Sequence, residues 1–243
     1  MFKKLLVLIL FTGLIFALPP KGTSLPVAPP EPPPQELPWE DDICLTPGMS
    51  VYNYAYSLYA NWATHTPNNR VYGVWYRTTT NYPVIMRWWD QSGSWSPEET
   101  VNKWTPSFTY SYYPSVAGDS NNNVHFIWRG YLSTPAGYWF YYRAKLANGN
   151  YTDICSLPTK STTVNYAKIA GGKGDTAHTT FYVYWGGYYT IGYAKIYPSY
   201  PTPTVVDIDT VAPWGWTSQY YPHIAVDGQN RVHVVWYLSL IHI

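Results

Sequence analysis

The chain has 243 residues, a formal net charge of +1 and only 12% charged residues, a balance that argues against a nucleic-acid-binding surface. Aromatic residues make up 19%, with 26 Tyr and 13 Trp, while Leu and Glu almost vanish after residue 60, which argues against an all-helical fold. Two cysteines exclude a disulfide-dense scaffold and a cysteine-rich zinc or iron–sulfur site.

Residues 1–17 open with Lys3 and Lys4 and continue as an apolar run from Leu5 to Ala17, the pattern of a secretory signal peptide. The run is too short to cross a bilayer comfortably and is followed by Pro19 and Pro20, so a retained anchor is the weaker reading. Its removal takes the charge to about −1 and leaves no integral membrane span. Residues 18–40 hold nine prolines between Pro19 and Pro38; they predict an extended polyproline spacer, with a docking motif as the alternative.

From residue 41 to 237 one motif is written four times. Tyr59-Ala60-Asn61-Trp62-Ala63 recurs at Tyr113, Tyr166 and Tyr221, at intervals of 54, 53 and 55 residues. Each copy is followed by a polar turn and a second apolar run that ends in Trp75, Trp128, Trp185 or Trp236. The turns Asp119–Asn123 and Asp227–Arg231 are rich in residues that close tight hairpins. A third aromatic run follows at Val84–Trp89, Tyr138–Leu146 and Tyr188–Tyr197, and a short fourth strand near Thr100-Val101, Asp153-Ile154 and Val205–Ile208. The pattern predicts an all-β fold, a β-propeller of four-stranded antiparallel blades at about 53–103, 107–157, 160–210 and 216–237. One such sheet cannot bury both faces, so copies must lean on each other, and the recurring tryptophans are read as packing between them.

The stretch Met86-Arg87-Trp88-Trp89-Asp90-Gln91-Ser92-Gly93-Ser94-Trp95 resembles the Asp-box (BNR) hairpin of sialidase-like propellers, with Gly93 one place late and Trp88 where the family opens on Ser or Thr. Asn148-Gly149-Asn150-Tyr151 keeps a trace of it. The resemblance implies a propeller whose Asp-box turn lies opposite the active face, so that Asp90 is structural. It also implies, for an active sialidase, an arginine triad, a tyrosine with its glutamate, and an aspartate acid.

Four repeats, the last lacking its outer half, are fewer than that family closes into a ring, which suggests a truncated fragment. Residues 238–243, Leu-Ser-Leu-Ile-His-Ile, break the repeat and match the translation of a transposon end used in sequencing libraries; they are read as an adapter scar. Cys44 and Cys155 sit in the similar strings Asp42-Ile43-Cys44 and Asp153-Ile154-Cys155, which suggests outer strands of different blades; a disulfide is open to a secreted chain but disfavoured by that separation, and the N-terminal string reads alternatively as a fourth strand donated to close the ring.

Strand direction puts the Asp119, Asp227 and Asp90 turns at one end, and the loops that bear ligands in the resembled family at the other. Arg77 and Arg129, near the exits of second strands, and Trp104, Asp209, Trp214 and Trp216 in linking loops are the ligand-binding candidates. Arginine holds carboxylates bidentately, and indoles stack on sugars. Two arginines and Asp209 do not complete a catalytic set, and Glu98 and Glu99 fall near the Asp-box, so no catalytic residue is assigned. Asp119, Asn121 and Asn123 have the alternate spacing of a calcium loop, but Gly130 stands where its glutamate belongs, so a hairpin turn is expected and no metal or cofactor. His125 and His233 align with Tyr72 and Tyr182 and read as packing, while Asn150-Tyr151-Thr152 is a glycosylation sequon only if the source modifies secreted chains in that way. The expectation is a secreted or cell-surface, non-catalytic module that recognises carbohydrate or protein. A sialidase-like glycoside hydrolase and a purely structural repeat are the alternatives.

Overall fold

The computed structural model describes residues 61–64, 69–78, 82–90, 93–103, 108–159, 161, 163–211 and 218–238. The signal peptide, the proline-rich spacer, Cys44, Trp104, Trp214, Trp216 and residues 239–243 lie outside them.

The described residues form fourteen strands in four antiparallel sheets, with no helix among them. The first sheet is β1 (Asn61–Thr64), β2 (Val71–Tyr76), β3 (Val84–Trp89) and β4 (Glu99–Thr100). The second is β5 (Tyr110–Gly118), β6 (Val124–Ser133), β7 (Ala136–Lys145) and β8 (Cys155–Ser156). The third is β9 (Val164–Gly171), β10 (Ala177–Trp185), β11 (Tyr188–Tyr197) and β12 (Thr204–Thr210), and β13 (Gln219–Val226) pairs with β14 (Val232–Leu238) in the fourth. Every strand pairs with its chain neighbour, because short polar turns leave no length for a crossover.

The sheets stack face to face, each on the next. Tyr72, Val74, Val84 and Met86 of the first meet Phe126, Trp128 and Tyr141 of the second, with Phe108 from the connection that leads into β5. The alternate residues of the second sheet, Ile127, Phe140, Tyr142 and Ala144, meet Ala167, Phe181, Val183 and Ile196 of the third. A further cluster joins Tyr182 and Ile191 to Tyr220 and Val234 of the fourth. Both faces of the middle sheets are therefore dry, which explains their near-continuous apolar runs. The first strands β1, β5, β9 and β13 contact one another in succession, so they form the inner edge of the stack. This is a propeller-like arrangement.

The register corrects the alignment of the third repeat. β2, β6, β10 and β14 begin at Val71, Val124, Ala177 and Val232, so their fifth residues are Trp75, Trp128, Phe181 and Trp236. Phe181, not Trp185, thus holds the place of Trp128. Trp75 and Trp128 are buried as expected, while Trp236 is 38% exposed. The second residues are Tyr72, His125, His178 and His233, so the partner of His125 in the third sheet is His178 and not Tyr182. Leu238 pairs with Gln219 and carries β14 one residue past the expected end of the repeat.

The Asp-box-like hairpin is present twice. Gly93 N–H donates to Asp90 O and Arg87 Nε–H to Ser96 O; in the second sheet Gly149 N–H donates to Leu146 O and Arg143 Nε–H to Thr152 O. Thr152 is buried, accepting the Ala144 N–H, so the sequon threonine is a packing residue. Cys155 lies on the outer strand β8 as expected, and burial pushes its thiol up to about 12.

Candidate functional site

Both ends of the stack are built by repetition. At the turn end, Asp119 Oδ1 accepts the N–H groups of Asn121 and Asn123, and Oδ2 accepts Asn123 Nδ2 and the His125 ring. Asp227 does the same for Gln229, Arg231 and His233. These are turns in which the carboxylate replaces missing backbone acceptors, as the hairpin reading expects.

At the opposite end the inner strands carry a bulge, between Tyr112 and Ser115 in β5 and between Tyr220 and His223 in β13, while in the third sheet the shift is between Thr180 and Tyr182. The residue it extrudes is the recurring tyrosine: Tyr113, Tyr166 and Tyr221 have φ of 53°, 50° and 51°. A left-handed backbone is costly for an aromatic residue, and its recurrence in three sheets marks a built feature. The rings meet along the inner edge, Tyr113 stacked on Tyr166 at 5.2 Å and Tyr166 edge-on to Tyr221 at 4.9 Å. Tyr112, Tyr76, Tyr82 and Tyr110 extend the array toward the first sheet, and Tyr182, Tyr189 and Tyr220 toward the fourth.

Arg129 stands in this tyrosine array. As the sixth residue of β6 it shares its position with Tyr76, Tyr182 and Tyr237 in the other sheets. Its guanidinium lies 3.6 Å from the centre of the Tyr138 ring. Its Nε is buried without a hydrogen-bond partner, and no carboxylate pairs with it among the described residues. Burial lowers its pKa, and the hydroxyls of Tyr138, Tyr113, Tyr182 and Tyr112 work against that shift. Burial also raises the Tyr112 and Tyr182 hydroxyls, each with help from neighbouring tyrosines, so both remain protonated donors at neutral pH. A cation with donors around it and no counter-charge is prepared for an anion.

The other candidates part company with Arg129. Arg77 lies just past the end of β2; its Nε is likewise buried without a hydrogen-bond partner, but its Nη2 donates to both Glu98 oxygens at 2.6 Å, so its charge is already answered. Glu98 is thereby a partner of Arg77, and Glu99 is held by Lys145 Nζ and Tyr151 O–H. Asp209 lies on β12, where its Oδ1 accepts the Thr210 N–H, among the residues lining a small cavity formed by β10, β11 and β12 of the third sheet with Thr159 of the connection before it. Trp104, Trp214 and Trp216 fall outside the described residues. The sequence reading missed Tyr112, Tyr113, Tyr138 and Tyr182 as site residues. Their signal was the recurring tyrosine itself, read as packing alone.

Fold and site together define an all-β, propeller-like protein with an arginine set among tyrosines at one end of its inner edge. No protein-family model matches the chain, and no curated protein matches it. Among solved structures it is similar to a protein of unknown function from Dyadobacter fermentans DSM 18053, with a TM-score of 0.54 and 11% identity over 74% of this chain and 62% of that one. It is also similar to the Hadza microbial sialidase Hz136, at TM-score 0.45 and 8% identity over 69% and 39% of the two chains. A third is the endo-arabinase of Bacteroides thetaiotaomicron VPI-5482, at TM-score 0.45 and 12% identity over 76% and 74%. The likeness to the Dyadobacter protein is one of fold, and this chain spans about three fifths of its length.

Proposed function

We propose that the chain is a secreted or cell-surface recognition module, non-catalytic, that takes the acidic group of a carbohydrate at Arg129, with an acidic protein segment as the second class of ligand. The observation that carries this is the half-buried guanidinium with an unpartnered Nε, set on Tyr138 among protonated tyrosine hydroxyls. Bidentate pairing satisfies such a group, and the aromatic surround suits the C–H faces of a sugar. The Lys3-Lys4 start and apolar run supply the secretion reading.

Binding of the full-length protein to an array of acidic and neutral glycans tests this. Retention of uronate- or sialate-bearing glycans that is lost in Arg129→Met supports the reading; acidic glycans retained equally by the variant, or none retained at all, overturn it. A sialidase-like hydrolase is the second reading, favoured by the Asp90–Gly93 turn that closes the hairpin resembling the Asp-box. Turnover of a fluorogenic sialoside would establish it instead. The outer face of the fourth sheet, with Val235 66% and Tyr237 59% exposed, supports a further sheet stacked upon it as part of a larger ring. The complete reading frame tests that.

A further inference from the structure

The face of the third sheet turned toward the second holds a second feature. A cavity of about 90 Å³ is lined by Thr159, Phe181, Trp185, Thr190, Gly192 and Asp209, among others. It lies at the exit of β10 and the entry of β11, and Trp185 packs against the same apolar cluster as Tyr138, the ring beneath Arg129.

The local sequence builds it. Thr190 pairs with Val183 and Gly192 with Phe181, so all four face the second sheet. A Cβ at Gly192 would stand 2.4 Å from the Phe181 ring, so only glycine lets that ring lie down across β11. Thr190 is 7% exposed, yet its Oγ1 has no hydrogen-bond partner among the described residues. Valine has the same shape and suits a strand at least as well, whereas a buried, unserved hydroxyl leaves its desolvation unrepaid. A threonine there is explained by a partner that arrives from outside.

The walls define what that partner is. Two aromatic rings and the threonine hydroxyls present no cation, and Asp209 in the lining has one carboxylate oxygen turned back to the Thr210 N–H. Such a lining suits a neutral, hydroxyl-bearing group. The cavity is small, and its size suits a hydroxymethyl arm or a pair of hydroxyls. We propose that this cavity is a carbohydrate subsite that takes a neutral hydroxyl-bearing arm of a sugar, its carbons against Trp185 and Phe181 and its hydroxyl bonded to Thr190 Oγ1. The proposal rests on the carbohydrate reading of this chain, but not on Arg129.

The test is a titration of the full-length, isotopically labelled protein with methyl β-D-galactopyranoside and methyl β-D-glucopyranoside, followed by NMR. The expected result is a saturable shift of the Trp185 indole N–H and the Thr190 amide with at least one glycoside. Thr190→Val weakens it about tenfold, the scale of one lost hydrogen bond, Thr190→Ser restores it, and Arg129→Met leaves it in place. Two results overturn the proposal: no shift with either glycoside, or a shift of equal affinity in Thr190→Val, which would mean that the hydroxyl serves a water only. Acidic-glycan binding that depends on Arg129 without any shift at Trp185 sinks the cavity and spares the Arg129 reading; the converse spares the cavity.

Discussion

His125 Nε2 stands 3.1 Å from Asp119 Oδ2 with both side chains fully buried, and the same pair recurs at 3.1 Å as His233 and Asp227 in the exposed fourth sheet. With Nε2–H given to the carboxylate, Nδ1 accepts the Tyr142 hydroxyl at 2.6 Å, so one imidazole ties the turn to β7. The third sheet keeps the histidine, and the Tyr193 hydroxyl at 2.7 Å from Nδ1, but has Gly172 where the aspartate belongs. His178 Nε2 is left buried and unpartnered.

Asp119→Ala therefore strands the Nε2 side of the His125 ring and the backbone N–H groups of Asn121 and Asn123, while the Asn123 amide keeps its bond to Asp175 Oδ1. The expected loss is about 3 kcal/mol, read from urea denaturation. Asp227→Ala, with its ring and guanidinium partners exposed, lowers the midpoint far less.

Burial, helped by Lys195 and His125, lowers the His178 pKa to about 4 from the ordinary 6.5. Between these values the unfolded chain takes up a proton that the folded chain refuses, so stability falls as pH drops from about 6.5 to about 4 and this contribution levels off below. The fall is on the order of 3 kcal/mol. His178→Asn, which keeps an acceptor for Tyr193, removes this part of the pH dependence; denaturation midpoints across the range check it.

Restoring the missing carboxylate should reverse that shift. A Cβ at Gly172 would sit 2.2 Å from Thr176 Oγ1 and 2.8 Å from His178 Nε2, so both side chains must shift, and the aspartate is introduced with Thr176→Asn, the residue found in the Asp119 turn, to reproduce that turn as a unit. Gly172→Asp/Thr176→Asn is expected to raise the His178 pKa by at least about one unit, followed in the imidazole C–H signals.

Gly171 and Gly118 are where the inner strands of the second and third sheets approach most tightly among the described glycines: a Cβ on Gly171 would lie 1.9 Å from Gly118 O. Backbone cannot step aside as a side chain can. Gly171→Ala should cost about 3 kcal/mol or more in unfolding free energy and loosen the seam, seen as faster amide exchange in β5 and β9.

Arg129→Met is expected to leave the fold intact and raise its stability by about 0.5–2 kcal/mol while it abolishes binding of acidic ligands. A desolvated cation without a partner is a burden on the free protein that only a ligand relieves. Thermal unfolding beside glycan binding measures both.

The sequence made the period and strand order legible, because Tyr113, Tyr166 and Tyr221 sit at a backbone position that the bulge makes hard to vary in place. It misled in the third repeat, where Trp185 imitates Trp128 four residues late while Phe181 holds the true position; only strand pairing distinguishes them. His178 was within reach, since it lies 53 residues after His125, but the Gly172 turn hides the motif that precedes it. The separation of Arg77 from Arg129 was not legible: one residue of register, and a glutamate 21 positions away, decide which guanidinium is answered. Nor could a linear reading show that Tyr138 supports one of them.

The sixth position of the second strand, filled in turn by Tyr76, Arg129, Tyr182 and Tyr237, is an interchangeable slot. Its neighbours on the strand fix the register, so its own occupant is free to change without retuning the pairing around it. Under the proposed recognition role, three aromatic settings and one basic one would set the selectivity, and arginine placed at Tyr76 or Tyr182 would add a second basic setting at a known remove from the first. On that proposal, ligand preference would be composed sheet by sheet like digits in a number, and a tandem duplication would supply a new digit already in place.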